Sequence, residues 1–328
     1  MQLVLDTKGL ILSKKNNLFR IETEKGERLI SPGKLGSIAV TATVVMHSDA
    51  IALAVQHQIP ILLFDRIGKA KARLWSPYFE SLATLRRQQV GFAEHPEATA
   101  WIIDLLHLKT AGQVQNLKYL RSQKRLLQLS ATQAIGQIRG VSHRLDNFRS
   151  ITLAEAQASI MGLEVTIARF YRDQFGRSLP RGFTFQQRSR RPAKDLFNAG
   201  INYLYGMLYS VVEGGLFAAG LDPYLGLLHS DAHQKPTLAY DLIEPFRPWM
   251  DQLLAEQCFE GKLRKTFFTQ NQYGLFLNRE GKAFIIPLFN DFMRQPLPYL
   301  GQESTARNHI YFMAGRLAQR IRATMTEA

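Results

Sequence analysis

Cysteine is almost absent: Cys258 is the only one in 328 residues. A disulfide framework and a cysteine-based zinc centre are thereby excluded. No apolar run approaches the roughly 18–20 residues that a bilayer span needs. The N-terminal MQLVLDTKG has no basic head followed by a long apolar stretch, so a secretory leader is not expected. Acidic residues are also scarce, with 27 Asp and Glu against 41 Lys and Arg, a formal net charge of +14. What is present in ordinary amount is apolar sequence, 46% of the chain, enough for a packed core and too much for a disordered chain. A soluble cytoplasmic protein is expected, of two domains at roughly 150 residues each. Its charge points to a polyanion, nucleic acid ahead of an acidic membrane surface.

The first 75 residues read as β structure. LVLD, LILSK, LFRIET and RLISP are short apolar segments, broken by Gly9, Asn16-Asn17, Gly26 and Pro32-Gly33. Punctuation at that spacing predicts hairpins in a small sheet. Residues 35–45 keep the β-branched bias. Residues 48–58 form a short helical pattern with Ser48 at the cap position. IPILLF at 59–64 reads as a buried strand, followed after Asp65 and Gly68 by a basic strand, KAKARLW. From about residue 78 the period changes to apolar spacings of three and four over long stretches, interrupted mainly at 176–192, 220–236 and 270–300. The expected fold class is α+β, with a small N-terminal β-sheet domain over 1–76 and a larger all-α domain over 77–328. The change of period near 76–95 carries no flexible tether.

The charge is clustered. Residues 105–145 hold seven basic residues and no acid (Lys109, Lys118, Arg121, Lys124, Arg125, Arg139 and Arg144), and residues 169–194 hold eight against Asp173 alone. The second group includes Arg188, Arg190 and Arg191. Single basic runs are often solvated helix faces. Two acid-poor stretches bracketing one helix favour a phosphate-binding surface, for which the arginine fork is suited.

That bracketed helix, around 153–175, carries a conflict. Counting three and four residues from Glu164 gives Met161, Ile160, Ile167 and Ala168, all apolar, with Tyr171 one position further along the same face and Gln157 at its other end. Glu164 is therefore expected within the stripe that faces the core. An ionised carboxylate there costs several kcal/mol unless it is paired or binds a metal. Either a nearby Lys or Arg pairs with it, or it serves metal or acid–base chemistry. Possible companions lie in GLDPYLGLLHSDAHQKPTLAYDLIEPFRPW, 220–249. Asp241 and Glu244 are three apart, so one helix would project them from the same face. His229 follows a Gly- and Pro-punctuated turn, and His233 is the alternative imidazole. One His with two or three carboxylates makes a mixed oxygen and nitrogen donor set, suited to Mg²⁺ or Mn²⁺ and poor for zinc.

Four ordered segments carry a family resemblance: SIMGLEVTIARFY (159–171), RSRRPAKDLFNAGINYLYGML (188–208), GLDPYLGLLHSDAHQKPTLAYDLIEPFRP (220–248) and YFMAGRLAQRIRA (311–323). Together they resemble the CRISPR-associated Cas-one family, the spacer integrases of CRISPR adaptation, over nearly the whole chain. The third segment is the most specific. The resemblance implies metal ligands at Glu164, His229 and Glu244, with Asp241 assisting the site. It implies a DNA platform including Arg188, Arg190, Arg191, Lys118, Arg121, Lys124 and Arg125, and pocket support from Asn198 and Tyr205 unless these are ordinary helix residues.

It further implies Mg²⁺ or Mn²⁺ as cofactor, double-stranded DNA (protospacer and CRISPR repeat) as substrate, and a homodimer through the β domain bridged by a small Cas-two partner. Two positions depart from the family pattern. Glu244 stands where Asp is frequent, and Val165 where Gly is common, which would crowd the helix contact. No fused reverse transcriptase or nuclease domain is expected. The residues also admit two other readings: a metal-dependent structure-specific nuclease of DNA repair, and a basic nucleic-acid-binding scaffold whose carboxylates are only ion-paired.

Overall fold

The computed structural model describes residues 2–24, 26–57, 59–64, 70–74, 82–190, 192–229 and 235–327. In chain order the elements are β1 (Gln2–Leu5), β2 (Ile11–Lys15), β3 (Leu18–Thr23), β4 (Gly26–Ile30), β5 (Ser37–Val40), β6 (Val45–Met46), α1 (Ser48–Gln56), β7 (Ile61–Phe64) and β8 (Ala70–Leu74). They continue as α2 (Leu82–Ala93), α3 (Pro96–Ser122), α4 (Gln128–His143), α5 (Leu153–Ser178), α6 (Leu196–Ala218), α7 (Thr237–Leu242) and α8 (Arg247–Phe259). The chain closes with β9 (Phe268–Asn271), β10 (Gly274–Leu277), α9 (Arg279–Arg294), β11 (Pro296–Tyr299), β12 (Gln302–Thr305) and α10 (Ala306–Glu327). The α+β class expected from sequence is the class observed: strands first, then mostly helix. No helix among the described residues is long and apolar enough to cross a membrane.

Contacts group the chain into two units, Met1–Leu82 with Ile286–His309, and Ala83–Ile285 with Ile310–Ala328. The boundary expected at 76/77 falls among residues outside those described. Within the first unit, two four-stranded sheets replace the single sheet of hairpins expected from sequence. One has the order β1-β5-β7-β8, the other β4-β3-β2-β6. β1, β5 and β7 pair in parallel, as do β2 and β6. Parallel pairs need crossovers, and α1 lies in the crossover between β5 and β7. His47, not Ser48, takes the cap position of α1. One hairpin follows the sequence signal: Asn16 and Asn17 have φ of 50° and 57° and join β2 to β3 with Lys15 opposite Leu18. Two left-handed residues are what a two-residue hairpin turn requires, and Asn tolerates that region. Leu5, Leu12, Phe19, Ile38, Ala50, Leu53 and Ile61 are buried in one apolar cluster.

The segment 286–309 belongs to this unit for a visible reason. β1 is a sheet edge, and Asn290 completes its first residue: the Gln2 N–H donates to Asn290 Oδ1 at 2.9 Å and Asn290 Nδ2 donates to the Gln2 carbonyl at 3.0 Å. A buried edge needs such partners. The helical part of the chain is not purely α, since β9 pairs with β10 and β11 with β12 as antiparallel hairpins. The interruption expected at 270–300 is only partly one: β9, β10 and β11 lie at its two ends, but its middle is α9, Arg279–Arg294, which the sequence reading missed.

In the second unit α3 is the central helix, packed against α4, α5, α8 and the 3₁₀ turn Glu244–Phe246. Pro96 at its first turn and the His95 ring, which accepts from the Glu97 N–H at 3.1 Å, define its start. α5 starts with a capping box: the Thr152 N–H donates to Glu155 Oε2 at 2.9 Å, and the Glu155 N–H is met by the Thr152 side chain. Asn116 on α3 donates to the Tyr171 hydroxyl of α5 at 3.0 Å and to the Pro248 carbonyl of α8 at 2.9 Å. This buried knot fixes three helices whose sequences lie far apart.

Candidate active site

Two turns of α3 before Asn116, on the same face, stands Lys109. Its side chain is only 6% exposed. The ammonium is ion-paired with Glu164 Oε1 and lies 2.6 Å from Glu244 Oε2. Glu164 is likewise two turns before Tyr171 on α5. The contacts Lys109–Glu164 and Asn116–Tyr171 share one 55-residue offset, so α3 and α5 run side by side in the same direction. The knot at Asn116 thus sets the register that brings Lys109 to Glu164.

Glu164 is not central in the buried stripe. Ile160, Leu163, Ile167, Ala168 and Tyr171 are buried, but Met161 and Val165 are exposed. The carboxylate sits at the edge of the core, its side chain 24% exposed. The stripe turns out narrower than the apolar residue types suggest. Val165, at 61% exposure, does not crowd the helix contact.

Asp241 and Glu244 do not share a helix face as expected. Asp241 lies in the last turn of α7, and Glu244 opens the 3₁₀ turn that Pro245 forces before α8. Both are buried, with different partners. Glu244 is clamped by two cations: Arg247 Nη1 lies 2.7 Å from Oε1, and Lys109 lies on Oε2. Burial alone would raise its pKa, but Arg247 and Lys109 outweigh this and hold it down to about 2. Oε2 has the ion contact but no well-directed hydrogen bond. Arg247 is itself fixed, donating to the Tyr209 hydroxyl at 2.6 Å and lying 5.4 Å from the Tyr205 ring centroid.

Asp241 holds the loop carrying His229. Its Oδ2 accepts from the Leu227 N–H at 2.8 Å and the Leu228 N–H at 3.2 Å. Its Oδ1 accepts from the His229 N–H at 3.2 Å and faces His229 Nδ1 at 2.6 Å. Burial raises the Asp241 pKa although His229 and the backbone N–H groups pull the other way. The hydrogen bond to Asp241 raises that of His229. A proton on Nδ1 leaves the Nε2 lone pair of neutral His229 available. Gly226 allows this loop to close: a Cβ there would collide with the His229 carbonyl and the Thr237 side chain. Gln157 of α5 donates to the Leu228 carbonyl at 2.5 Å, tying the loop to the helix of Glu164. His229 and Glu244 also influence each other's ionisation.

The structure therefore brings Glu164 and Glu244 together on one ammonium and sets His229 on Asp241, near enough to Glu244 for each to influence the other's charge. Among the described residues, no three His, Cys, Asp or Glu side chains are close enough to one another to share one ion. The alternative imidazole, His233, lies outside the described residues. Sequence reasoning placed Lys109 only in a basic run and gave Arg247 no role.

Tyr205 reaches the site indirectly, under Arg247 and donating to buried Asp251 Oδ1 at 2.6 Å, where Tyr171 donates to Oδ2 at 3.1 Å. Asn198, fully buried, donates to the Gln187 carbonyl at 3.0 Å and pairs with Arg188. Of the DNA-contact candidates, Lys118, Lys124, Arg125 and Arg190 are exposed, Arg121 is half-buried, and Arg191 lies outside the described residues. Arg125 lies over the Phe259 ring at 4.9 Å. Arg188 is committed inward, to Asn198, to Asn202 Oδ1 at 2.8 Å and to the Tyr205 ring at 5.3 Å.

The family model described as "CRISPR associated protein Cas1" matches residues 3–291. A "CRISPR-associated endonuclease Cas1 2" of Rhodospirillum rubrum is 28% identical over 304 residues, covering 89% of this chain and 86% of that protein. The fold is that of a "Casposase bound to integration product", with a TM-score of 0.80, 22% identity, and coverage of 98% of this chain and 91% of that one. It is also that of a chain in a "Cas6-RT-Cas1--Cas2 complex", with a TM-score of 0.78, 23% identity, and coverage of 99% of this chain and 35% of that one. With a family match over nearly its whole length, on a fold that brings the two glutamates of its specific segments onto one buried lysine, the chain belongs to the CRISPR-associated protein Cas1 family.

Proposed function

We propose that this protein is the DNA integrase of CRISPR adaptation. The 3′-hydroxyl of a short foreign duplex attacks a phosphodiester at a CRISPR repeat, and a second such transesterification completes insertion. One observation carries the site: Glu164 and Glu244, from helical segments 80 residues apart in sequence, meet at a buried position, which core packing alone does not call for.

The donor types, two carboxylates and an imidazole, suit a hard divalent cation, Mg²⁺ or Mn²⁺, with Mn²⁺ the better match to an imidazole; sharing one ion would require these side chains to close up as Lys109 leaves the two glutamates. Glu244 and Glu164 already hold one cation between them, the Lys109 ammonium, and that supports the fit. Glu164, Glu244 and Nε2 of His229 would hold the ion. When bound, it neutralises charge on the phosphoryl oxygens and orients the attacking hydroxyl. Asp241 keeps the His229 proton on Nδ1 and so presents Nε2. Arg247 anchors Glu244 from the far side.

Exposed Arg190, Lys118, Lys124 and Arg125 bind DNA backbone, which positions without reading sequence. The N-terminal β-rich unit supplies the homodimer contact and a Cas2 partner bridges dimers; the partner, though not the dimer contact, is supported by the Cas1–Cas2 assembly named for the structural relative. The protein acts in the cytoplasm, beside the array.

The test is joining of a labelled short duplex to repeat-bearing DNA, with a Cas2 partner and either metal. Joining that disappears in Glu164→Ala and Glu244→Ala, with DNA binding retained, is the expected result. The word endonuclease in the relative's name favours a second reading, a metal-dependent nuclease in which water replaces the hydroxyl; cleavage without joining would select it. The Lys109 ion pairs favour a third, a non-catalytic scaffold; neither joining nor cleavage by wild type with either metal, with DNA binding retained, would select that one.

A further inference from the structure

We propose that Lys109 is a built-in competitor of the metal ion: its ammonium and a divalent cation claim the same carboxylate oxygens and exclude one another. The inference rests on the metal-ligand reading above and adds a gate to it.

Lys109 is buried on a helix whose neighbouring positions Leu105, Leu106, Thr110 and Gln113 are also buried. Such a residue is expensive to bury unless its charge is met in full. Here it is met twice, by Glu164 and by Glu244. With Arg247 on the other Glu244 oxygen, the cluster contains two cations and two anions, so without metal it is already neutral.

An ion shared by Glu164 and Glu244 needs the oxygen lone pairs that now face the Lys109 ammonium. Two like charges cannot both occupy that gap at low dielectric. The α3 backbone is pinned by Asn116, so what can yield is the four-carbon lysine stem. Glu164, at the edge of the core with a quarter of its side chain exposed, gives the stem an exit toward solvent. Lys109 thus keeps the apo site folded and neutral, and the metal must displace it.

The test measures Mn²⁺ binding by electron paramagnetic resonance or calorimetry on full-length wild type, Lys109→Met and Lys109→Arg, alongside melting temperature with and without Mn²⁺. Lys109→Met should bind Mn²⁺ at least about tenfold more tightly, because the competing charge is gone. It should be less stable without metal and gain more on Mn²⁺ addition. Lys109→Arg should not gain affinity. A parallel measurement needs no variant: acylation of Lys109 followed by mass spectrometry should be slow in apo protein and accelerate with Mn²⁺. Equal or weaker Mn²⁺ binding by Lys109→Met, or acylation unchanged by metal, overturns the gate while leaving the ligand assignment intact. Absence of Mn²⁺ binding in all three proteins overturns both.

Discussion

Asp241→Asn is a change of one atom that should separate the structural from the functional work of this carboxylate. Asp241 accepts four hydrogen bonds, three from backbone N–H groups of Leu227, Leu228 and His229 and one from the His229 ring. Asparagine offers one oxygen and one amino group. Turning the oxygen to Leu227 and Leu228 keeps two bonds and leaves one N–H, that of His229, facing a donor. The opposite orientation leaves two N–H groups unpaired, so the first is preferred. The cost is one unsatisfied buried N–H plus the weakening of charge-assisted bonds, about 2–4 kcal/mol together.

The amide N–H₂ then faces His229 Nδ1 and can only be accepted there if the ring proton moves to Nε2. Expected, therefore, are a moderate fall in stability by urea unfolding and a tautomer switch at His229. The switch is readable in ¹⁵N-histidine spectra of a protein with eight histidines. A loss of about 10–100-fold in Mn²⁺ affinity should follow, the usual consequence of disturbing a ligand's orienting partner. Retention of the Nδ1–H tautomer with unchanged Mn²⁺ affinity would refute the argument that Asp241 presents Nε2.

Three further outcomes are expected. Gly176→Ala drives a Cβ into the Phe185 backbone carbonyl, which neither side can relieve by a rotamer change; unfolding should show a loss of about 1–3 kcal/mol. Glu244, held down to about 2 from an ordinary 4.5, stabilises the fold by up to about 3 kcal/mol at pH above 4.5, and this is lost as pH falls toward 2; urea midpoints measured from pH 5 to pH 3 should fall more gently in Glu244→Gln than in wild type. Arg190→Ala should weaken DNA binding and lower the salt dependence by about one counterion without affecting stability, whereas Arg188→Ala should lower stability because its guanidinium is bound to Asn198 and Asn202. Equal behaviour of the two arginine variants in both assays would contradict that division.

The helices were legible because their causes are local. Apolar spacings of three and four lie within one element, and the helix read around 153–175 is α5, Leu153–Ser178, whereas α9 at 279–294 was taken for an interruption. The β-rich beginning was legible for the same reason, with the Asn16-Asn17 turn carrying its own geometry. The parallel pairing of β5 with β1 and with β7, and the recruitment of residues 286–309 by Asn290, were not. Parallel partners and edge covers are chosen by contacts between segments far apart in sequence, and no periodicity records them.

The site divides along the same line. Glu164 could be singled out because a carboxylate interrupts an apolar spacing, although the width of that stripe was overestimated: Met161 and Val165 are apolar but exposed, and exposed apolar residues are ordinary. The partner of Glu164 could not be found. Lys109 sits in a basic run with no nearby acid, the pattern that most resembles a solvated, phosphate-facing helix. Its pairing with Glu164 depends on the register that the Asn116–Tyr171 contact sets two turns on, and neither residue advertises that contact in sequence. One signal was available in principle. Lys109 and Asn116 are seven apart among Leu105, Leu106, Val114 and Leu117, so a lysine lies on the buried face of α3 just as a glutamate lies near the buried face of α5. Two opposite charges, each misplaced on its own helix, are more informative together than either alone, because each removes the cost of the other. Matching such complementary misplacements between helices, with no motif assumed, puts Lys109 among the cations to test against Glu164, and the structure makes the choice.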